Sequence, residues 1–199
     1  MTFFQVKITQ AMVEEAIARS LGLPKYDKNF KQYIQNDGDG ELTAKVDGIL
    51  GEMAAEHWFK EHGFNYEDCR DQITHDYLLN SCITVEVKAK RRTVMARPGY
   101  EATVPQYVHD VQKPMAYLFV SHHLGPGRDD EFTNYISSYV VGGISRKKFD
   151  PIKRAIAQGE YDPSNNWTCT EACYNVNISQ LFNPEEYAKR LMLYISENT

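Results

Sequence analysis

The sequence predicts a mixed α/β (α+β) fold in which a β-sheet is flanked by helices. Apolar residues recur at helical spacing in two segments, 9–21 and 42–62, and a glycine follows each segment. Apolar-rich runs of strand length lie at 115–121 and 134–145. The first of these is continuous, as expected for a central strand covered on both faces. A chain of 199 residues with this content fits one domain, residues 1–199.

Composition indicates a soluble protein rather than a membrane protein. Charged residues make up 25% of the chain, and no apolar run approaches the roughly 20 residues that a bilayer crossing needs. The amino-terminal residues lack the basic and apolar regions of a signal peptide, so we expect a cytoplasmic location and no membrane partner. The formal net charge of −5 argues against a protein that coats nucleic acid indiscriminately, but local clusters of bases are compatible with a nucleic-acid enzyme.

Four cysteines, Cys69, Cys82, Cys169 and Cys173, are expected to be free thiols in a chain without an export signal. Cys169 and Cys173 are four residues apart, whereas zinc sites usually use a C-x-x-C spacing. We therefore favour small buried apolar side chains at these two positions over a structural zinc site.

The stretch from Asp76 to Lys88 carries the candidate chemistry. Residues 75–79 are β-prone, residues 80–81 are turn formers, and residues 83–85 restart a β-branched run, which together predict a β-hairpin. Because side chains alternate across a strand, Glu86 and Lys88 face one side and the valines beside them face the other. Asp76 on the neighbouring strand can lean toward Glu86, which brings two carboxylates and one ammonium group to one cleft.

These groups suit metal-assisted phosphate chemistry. Carboxylate oxygens with open coordination positions are what Mg²⁺ needs when it also holds a phosphate. An ammonium group beside the metal can stabilise the negative charge that develops on phosphorus, or position the attacking water. Asp68 and Asp71 are rivals for the first carboxylate, but Asp76 is favoured because an apolar strand follows it and fixes its position.

Asp76, nine intervening residues and then Glu86-Val87-Lys88 resemble the PD-(D/E)XK signature of the restriction-endonuclease-like nucleases. His75 stands where the name of the motif has proline. The helix at 42–62 is similar to the first helix of many of these enzymes, in which a glycine-flanked glutamate reaches the metal site, and Glu52 is the matching residue. The resemblance covers a core of residues 42–145, with terminal helical elaborations on both sides.

The resemblance implies a restriction-endonuclease-like mixed sheet and a metal-dependent deoxyribonuclease activity. It implies that Asp76, Glu86 and the Val87 carbonyl hold Mg²⁺, for which Mn²⁺ would substitute, and that Glu52 completes the site. Lys88 would orient the water that attacks phosphorus in line. DNA is the expected partner, and a homo-oligomer is left open.

Basic and amide side chains that follow the signature are candidates for DNA contact. Lys90, Arg91 and Arg92 come directly after it and could meet phosphates, although a solvated strand end explains the two arginines equally well. Related nucleases often carry a glutamine after this strand that touches the substrate or the attacking water. Gln106 and Gln112 both qualify, and the sequence does not choose between them.

The remaining segments complete the expected fold. Residues 94–114 are expected to form an irregular loop, and residues 37–40 a turn. A helix over 147–158 would point Phe149, Ile152 and Ile156 inward. A short strand is expected at 174–178, and Asn183 before Pro184 predicts the start of a final helix that runs to about residue 198.

Two other interpretations stay open. The chain could be a catalytically inactive restriction-endonuclease-like protein that binds nucleic acid or a partner protein. It could instead be an unrelated α+β protein in which Glu86 and Lys88 only pair on the surface. A protein of this last kind would bind no metal at all.

Overall fold

The computed structural model describes residues 2–22, 38–71, 74–126, 132–163 and 167–198, and the side chains of residues 38–41 and 167 lie outside this description. The helices are α1 (Gln10–Gly22), α2 (Gly38–Glu61), α3 (Gln106–Gln112), α4 (Arg146–Phe149) and α5 (Pro184–Asn198). The strands are β1 (Phe4–Lys7), β2 (Tyr66–Asp68), β3 (Tyr77–Leu79), β4 (Ile83–Arg92), β5 (Glu101–Pro105), β6 (Ala116–Leu124), β7 (Tyr135–Ser145), β8 (Arg154–Ile156), β9 (Tyr161–Asp162), β10 (Trp167–Thr168) and β11 (Cys173–Asn177).

Six strands form a mixed sheet in the order β1-β7-β6-β4-β3-β2. The central pair β4 and β6 is parallel, and the other neighbouring pairs are antiparallel. A parallel pair needs a crossover of about a dozen residues or more, and residues 93–115 supply it. The predicted α+β class, with a mixed sheet flanked by helices, is confirmed.

Helix α2 packs against one face of this sheet. Its inward side chains Leu50, Ala54 and Trp58 are fully buried. A Cβ atom at Gly51 would lie 2.6 Å from the Cβ atom of Ala89 on β4, so a side chain there would collide with the sheet. Gly51 therefore permits the close approach of helix α2 to strand β4.

A smaller sheet, in the order β5-β11-β8, covers the opposite face. Val104 of β5 and Val176 of β11 share one apolar cluster with Tyr117 and Phe119 of β6. The register pairs Glu86 with Tyr117 and Lys88 with Phe119, so these neighbouring side chains share a face of the large sheet. The face of β4 that carries Glu86 and Lys88 therefore lies toward the smaller sheet.

Most of the predicted elements are present. The hairpin turns at Asn80 and Ser81, whose φ angles of 46° and 55° lie in the left-handed region that turn-forming asparagine tolerates. The two long helices and the two apolar strands are observed within a few residues of the expected bounds. Asn183 caps the final helix, since its side-chain oxygen accepts a hydrogen bond from the Glu186 N–H at 3.0 Å.

The expected irregular loop at 94–114 is wrong, because it contains strand β5 and helix α3. Strand β5 pairs along its length with β11, in a register that joins Glu101 to Asn177. The paired residues are 68 to 76 positions apart in the sequence, and such non-local hydrogen bonding overrides the weak local pattern of the segment.

The expected helix at 147–158 is also wrong. Helix α4 ends at Phe149, and the chain then forms β8, which pairs with β11. Pro151 removes a backbone donor and clashes with the preceding turn, so it opposes a helix that would continue through it. Phe149 is buried as expected, but Ile152 is 38% exposed.

Other differences are local. The chain is helical from Gly38, where a turn was expected, and Asp37 lies outside the described residues. The strand expected over residues 75–79 pairs regularly only from Tyr77. Strand β1 has no counterpart in the sequence prediction. Within the described ranges, no helix is long and apolar enough to cross a membrane.

All four cysteines are free. Cys69, Cys169 and Cys173 are buried, as expected for small apolar side chains, and Cys82 is partly exposed. The sulfur atoms of Cys169 and Cys173 are 3.8 Å apart.

Candidate active site

The side chains of strand β4 alternate between the two faces of the sheet, as the sequence pattern predicts. Val85 and Val87 enter the apolar core beside helix α2, whereas Glu86 and Lys88 point to the other face. Glu86 is 1% exposed, and its Oε1 atom accepts a hydrogen bond from the Lys88 ammonium group at 2.5 Å. The two side chains therefore form a buried ion pair and not a surface pair.

Asp76 lies opposite Glu86, one residue before the regular ladder of β3. Its N–H donates to the Val85 carbonyl at 3.0 Å, and its carboxylate Oδ2 accepts from the Val87 N–H at 2.7 Å. In a strand the N–H and C=O of one residue point to the same neighbour, so the Val87 carbonyl also points toward the Asp76 side. The structure thus brings Asp76, Glu86, the Val87 carbonyl and Lys88 together.

Glu52 reaches the same region from helix α2. Burial, and next the charge of Asp76, raises the pKa of Glu52 from 4.5 to about 7, while the Arg70 guanidinium opposes this shift. Its Oε2 atom accepts a hydrogen bond from Arg70 Nη1 at 2.5 Å. The charge of Asp76 therefore acts on Glu52, but Glu52 forms an ion pair with the Arg70 guanidinium of the same chain.

The charges of the four predicted residues act on one another. Burial raises the pKa of Glu86 to about 7 against the influence of Lys88, and it also raises the pKa of Asp76. Burial alone would lower the pKa of Lys88, but Glu86, Asp76 and Glu52 together raise it above its ordinary value. The three carboxylates therefore interact with two cations, Lys88 and Arg70, in one partly buried region.

A cleft of about 760 Å³ opens beside Asp76. It is lined by Arg19, Gly22, Ile49, Glu52, Asp68, Arg70, Asp71 and Asp76. Asp76 lines this cleft, whereas Glu86 and Lys88 are not among its lining residues. Both rivals for the first carboxylate, Asp68 and Asp71, therefore lie in this cleft, but Asp76 is the aspartate whose charge acts on both Glu86 and Lys88.

In the described part of the chain, no group of three or more His, Cys, Asp or Glu side chains is assembled closely enough to hold a metal ion. Mg²⁺ usually keeps several waters and uses only one or two protein carboxylates together with substrate phosphates. Asp76 and Glu86, with the Val87 carbonyl, fit that smaller requirement. Glu52 would have to exchange Arg70 for the metal before it could join them.

The candidate DNA-contacting bases all have intramolecular partners. Lys90 donates to Thr103 Oγ1 at 3.1 Å, and Arg91 pairs with Asp47 at 2.8 Å. Arg92 donates to the Glu101 carbonyl at 2.6 Å. All three are partly buried, and their role in DNA contact stays a prediction.

The two candidate glutamines occupy opposite ends of helix α3. Gln106 donates to the Tyr174 hydroxyl at 3.0 Å. Gln112 lies near the Glu86 carboxylate and opposes the rise in the pKa of Glu86. The structure therefore brings Gln112 to the site and leaves Gln106 in contact with the smaller sheet.

Two further charged residues were not singled out by the sequence analysis. Arg70 contacts Glu52 and lines the cleft. Glu171 is partly buried near Lys88, whose charge opposes the rise that burial causes in the Glu171 pKa. Both lie outside regular helices and strands, and no periodic pattern indicates where such side chains point.

Comparisons of the chain with protein-family models, with curated proteins and with solved structures find no match. The assignment of a function therefore depends on the chemistry of the site itself.

Proposed function

We propose that the protein is a metal-dependent deoxyribonuclease that hydrolyses DNA phosphodiester bonds by in-line attack of water. The observation that carries the proposal is the meeting of Asp76, Glu86 and Lys88, of which Asp76 lines an open cleft. This arrangement combines oxygen ligands for a hard cation with a fixed ammonium group. A buried acidic site of this kind is costly unless a cation or a substrate uses it.

Asp76, Glu86 and the Val87 carbonyl would hold Mg²⁺, with Glu52 extending the site and Mn²⁺ as a substitute. When bound, Mg²⁺ polarises the phosphate and lowers the pKa of a coordinated water. The hydrogen bond from Val87 N–H fixes Asp76, and the hydrogen bond from Lys88 Nζ orients Glu86. Both contacts hold the carboxylates in place before the substrate arrives, which lowers the cost of binding.

Lys88 acts as a hydrogen-bond donor in this proposal. The surrounding carboxylates raise its pKa, so the side chain stays an ammonium group at neutral pH. A protonated lysine cannot take a proton from water, but it can orient the attacking water and stabilise the charge that develops on the phosphate oxygens. Of the two roles the residue types permit, the charged donor is the one this environment supports.

The test compares the wild-type protein with Lys88→Ala in reactions with plasmid and linear DNA and Mg²⁺. We expect the wild type to cleave and Lys88→Ala to lose at least about 100-fold in rate, the loss typical of removing one fixed transition-state donor. Lys147→Ala, which removes an exposed lysine on α4, is the matched control and should cleave like wild type. Circular dichroism should show the wild-type fold in all three proteins.

The outcomes separate the interpretations. Cleavage retained by Lys88→Ala would overturn the assignment of this lysine. Absence of cleavage by the wild type, with Mn²⁺ binding intact by calorimetry, would indicate a catalytically inactive binding protein. Absence of both would leave an α+β protein with a structural ion pair.

A further inference from the structure

Arg70 sits in the turn after β2, and every polar contact of its side chain goes to an acid of the candidate site or its rim. It contacts Glu52 of helix α2 at 2.5 Å and Asp68 at the end of β2. Glu56, one helical turn from Glu52, lies 3.7 Å from its Nη2 atom. Its guanidinium also lies over the Tyr77 ring, with 5.5 Å between Cζ and the ring centroid. Arg70 therefore fills the centre of an acidic wall of the cleft.

The nitrogen atoms of this guanidinium divide into two sets. Nε donates to Asp68 Oδ1 at 2.8 Å, and Nη2 donates to Asp68 Oδ2. The Asp68 carboxylate therefore binds one edge of the guanidinium in a bidentate pair. The Arg70 backbone N–H also donates to Asp68 Oδ1, at 3.1 Å. Nη1 alone donates to Glu52. If the hydrogen bond between Nη1 and Glu52 breaks, the two side-chain hydrogen bonds to Asp68 can remain in place.

A divalent cation and Arg70 compete for the same carboxylate. Glu52 is partly exposed to the cleft and feels the charge of Asp76, which places it at the edge of the proposed metal site. Two cations on one carboxylate repel each other strongly in a partly buried site. Occupation of Glu52 by a metal ion would therefore turn Nη1 away from it and toward the open cleft.

We propose that Arg70 is an exchangeable counterion: its Nη1 group neutralises Glu52 in the metal-free protein and binds a non-bridging phosphate oxygen of DNA once a divalent cation takes Glu52. This inference rests on the proposed nuclease function. The planar guanidinium suits it, because one edge stays anchored while a second edge offers donors to a phosphate. Arg70 thereby couples metal binding to substrate binding.

The test measures Mn²⁺ affinity by isothermal titration calorimetry without DNA, and separately the cleavage of linear DNA with Mg²⁺. Arg70→Ala removes the competing cation, so we expect Mn²⁺ to bind about tenfold more tightly than to wild type. We expect cleavage by the same variant to fall by at least about tenfold at saturating Mg²⁺, because the phosphate loses its donor. Arg70→Lys keeps the charge and should bind Mn²⁺ within about threefold of wild type while cleaving more slowly.

Arg19→Ala is the matched control. Arg19 lines the same cleft but pairs with Glu15 one turn earlier on α1, at 2.5 Å, and makes no contact with Glu52 in the described structure. Its removal should leave Mn²⁺ affinity within about twofold of wild type, since the charge is exposed and screened. Melting temperatures of the four proteins show whether each variant is folded at the temperature of the titration.

A purely structural arginine predicts the opposite result. If Arg70 only connects β2 to helix α2, Arg70→Ala leaves Glu52 less well fixed and leaves Mn²⁺ affinity unchanged or weaker. When the wild type binds Mn²⁺ and cleaves DNA, that result for the variant overturns the inference about Arg70 but not the proposed nuclease function. A wild type that neither binds Mn²⁺ nor cleaves DNA overturns the nuclease function and this inference together. Tighter Mn²⁺ binding with undiminished cleavage overturns the phosphate contact.

Discussion

Replacement of Glu52 by glutamine should stabilise the metal-free protein at alkaline pH. Crowding and burial raise the pKa of Glu52 from 4.5 to about 7 in the folded state. Each unit of that difference corresponds to about 1.4 kcal/mol, so the ionised carboxylate destabilises the fold by up to about 3 kcal/mol at pH 8. Glutamine keeps the shape of the side chain and cannot ionise.

The raised pKa of Glu52 determines how the free energy of unfolding changes with pH. Between about pH 4.5 and pH 7 the folded protein holds a proton that the unfolded chain has already released. The contribution of Glu52 to the free energy of unfolding therefore falls as pH rises through this window and is constant above it. The advantage of Glu52→Gln over wild type should grow by roughly 2 kcal/mol between pH 5 and pH 8.

Urea unfolding in the presence of a chelator, at pH 5 and at pH 8, measures this difference. Glu61→Gln is the control, because Glu61 is an exposed carboxylate at the end of the same helix, and its replacement should change the free energy of unfolding by less than about 0.5 kcal/mol. A Glu52→Gln variant that is no more stable than wild type at pH 8, or an advantage that does not grow with pH, would refute the electrostatic reasoning.

Two further predictions concern the packing of helix α2 and the side chains near Glu86. Gly51→Ala should lower the free energy of unfolding by about 1–3 kcal/mol, because the added methyl group would collide with Ala89. Gly48→Ala, whose added methyl group meets no described atom within 4 Å, should be neutral or stabilising by up to about 1 kcal/mol. Equal stability of the two variants would contradict the close approach of α2 to β4. Gln112→Ala should slow DNA cleavage by about tenfold or more, because Glu86 loses a polar neighbour that favours its charged form. Gln106→Ala should stay within about twofold of wild type, since Gln106 contacts Tyr174 instead. The reverse order would contradict the assignment of Gln112.

The face of β4 that carries Glu86 and Lys88 is predictable from the sequence because the relevant pattern is local. A period of two along β4 is enough to separate Glu86 and Lys88 from the valines of the core. A short turn at Asn80 then determines that Asp76 returns opposite Glu86. The helical period likewise locates Glu52 on α2.

The parts that the sequence did not predict depend on distant partners. Strand β5 pairs with β11, and β8 pairs with the same strand, so neither is recognisable without the other two. Arg70 and Glu171 reach the site from segments between regular elements, where no period defines the direction of a side chain. The helix predicted at 147–158 is absent for a local reason, since Pro151 opposes a helix that would continue through it.

The central claim is that Asp76 and Glu86 hold a divalent cation beside Lys88. Anomalous diffraction from a crystal soaked in Mn²⁺ tests it most directly. The predicted result is a manganese peak within about 2.5 Å of a carboxylate oxygen of both Asp76 and Glu86. A crystal with no peak at these two carboxylates, or with its manganese bound to a different set of side chains, would contradict the claim.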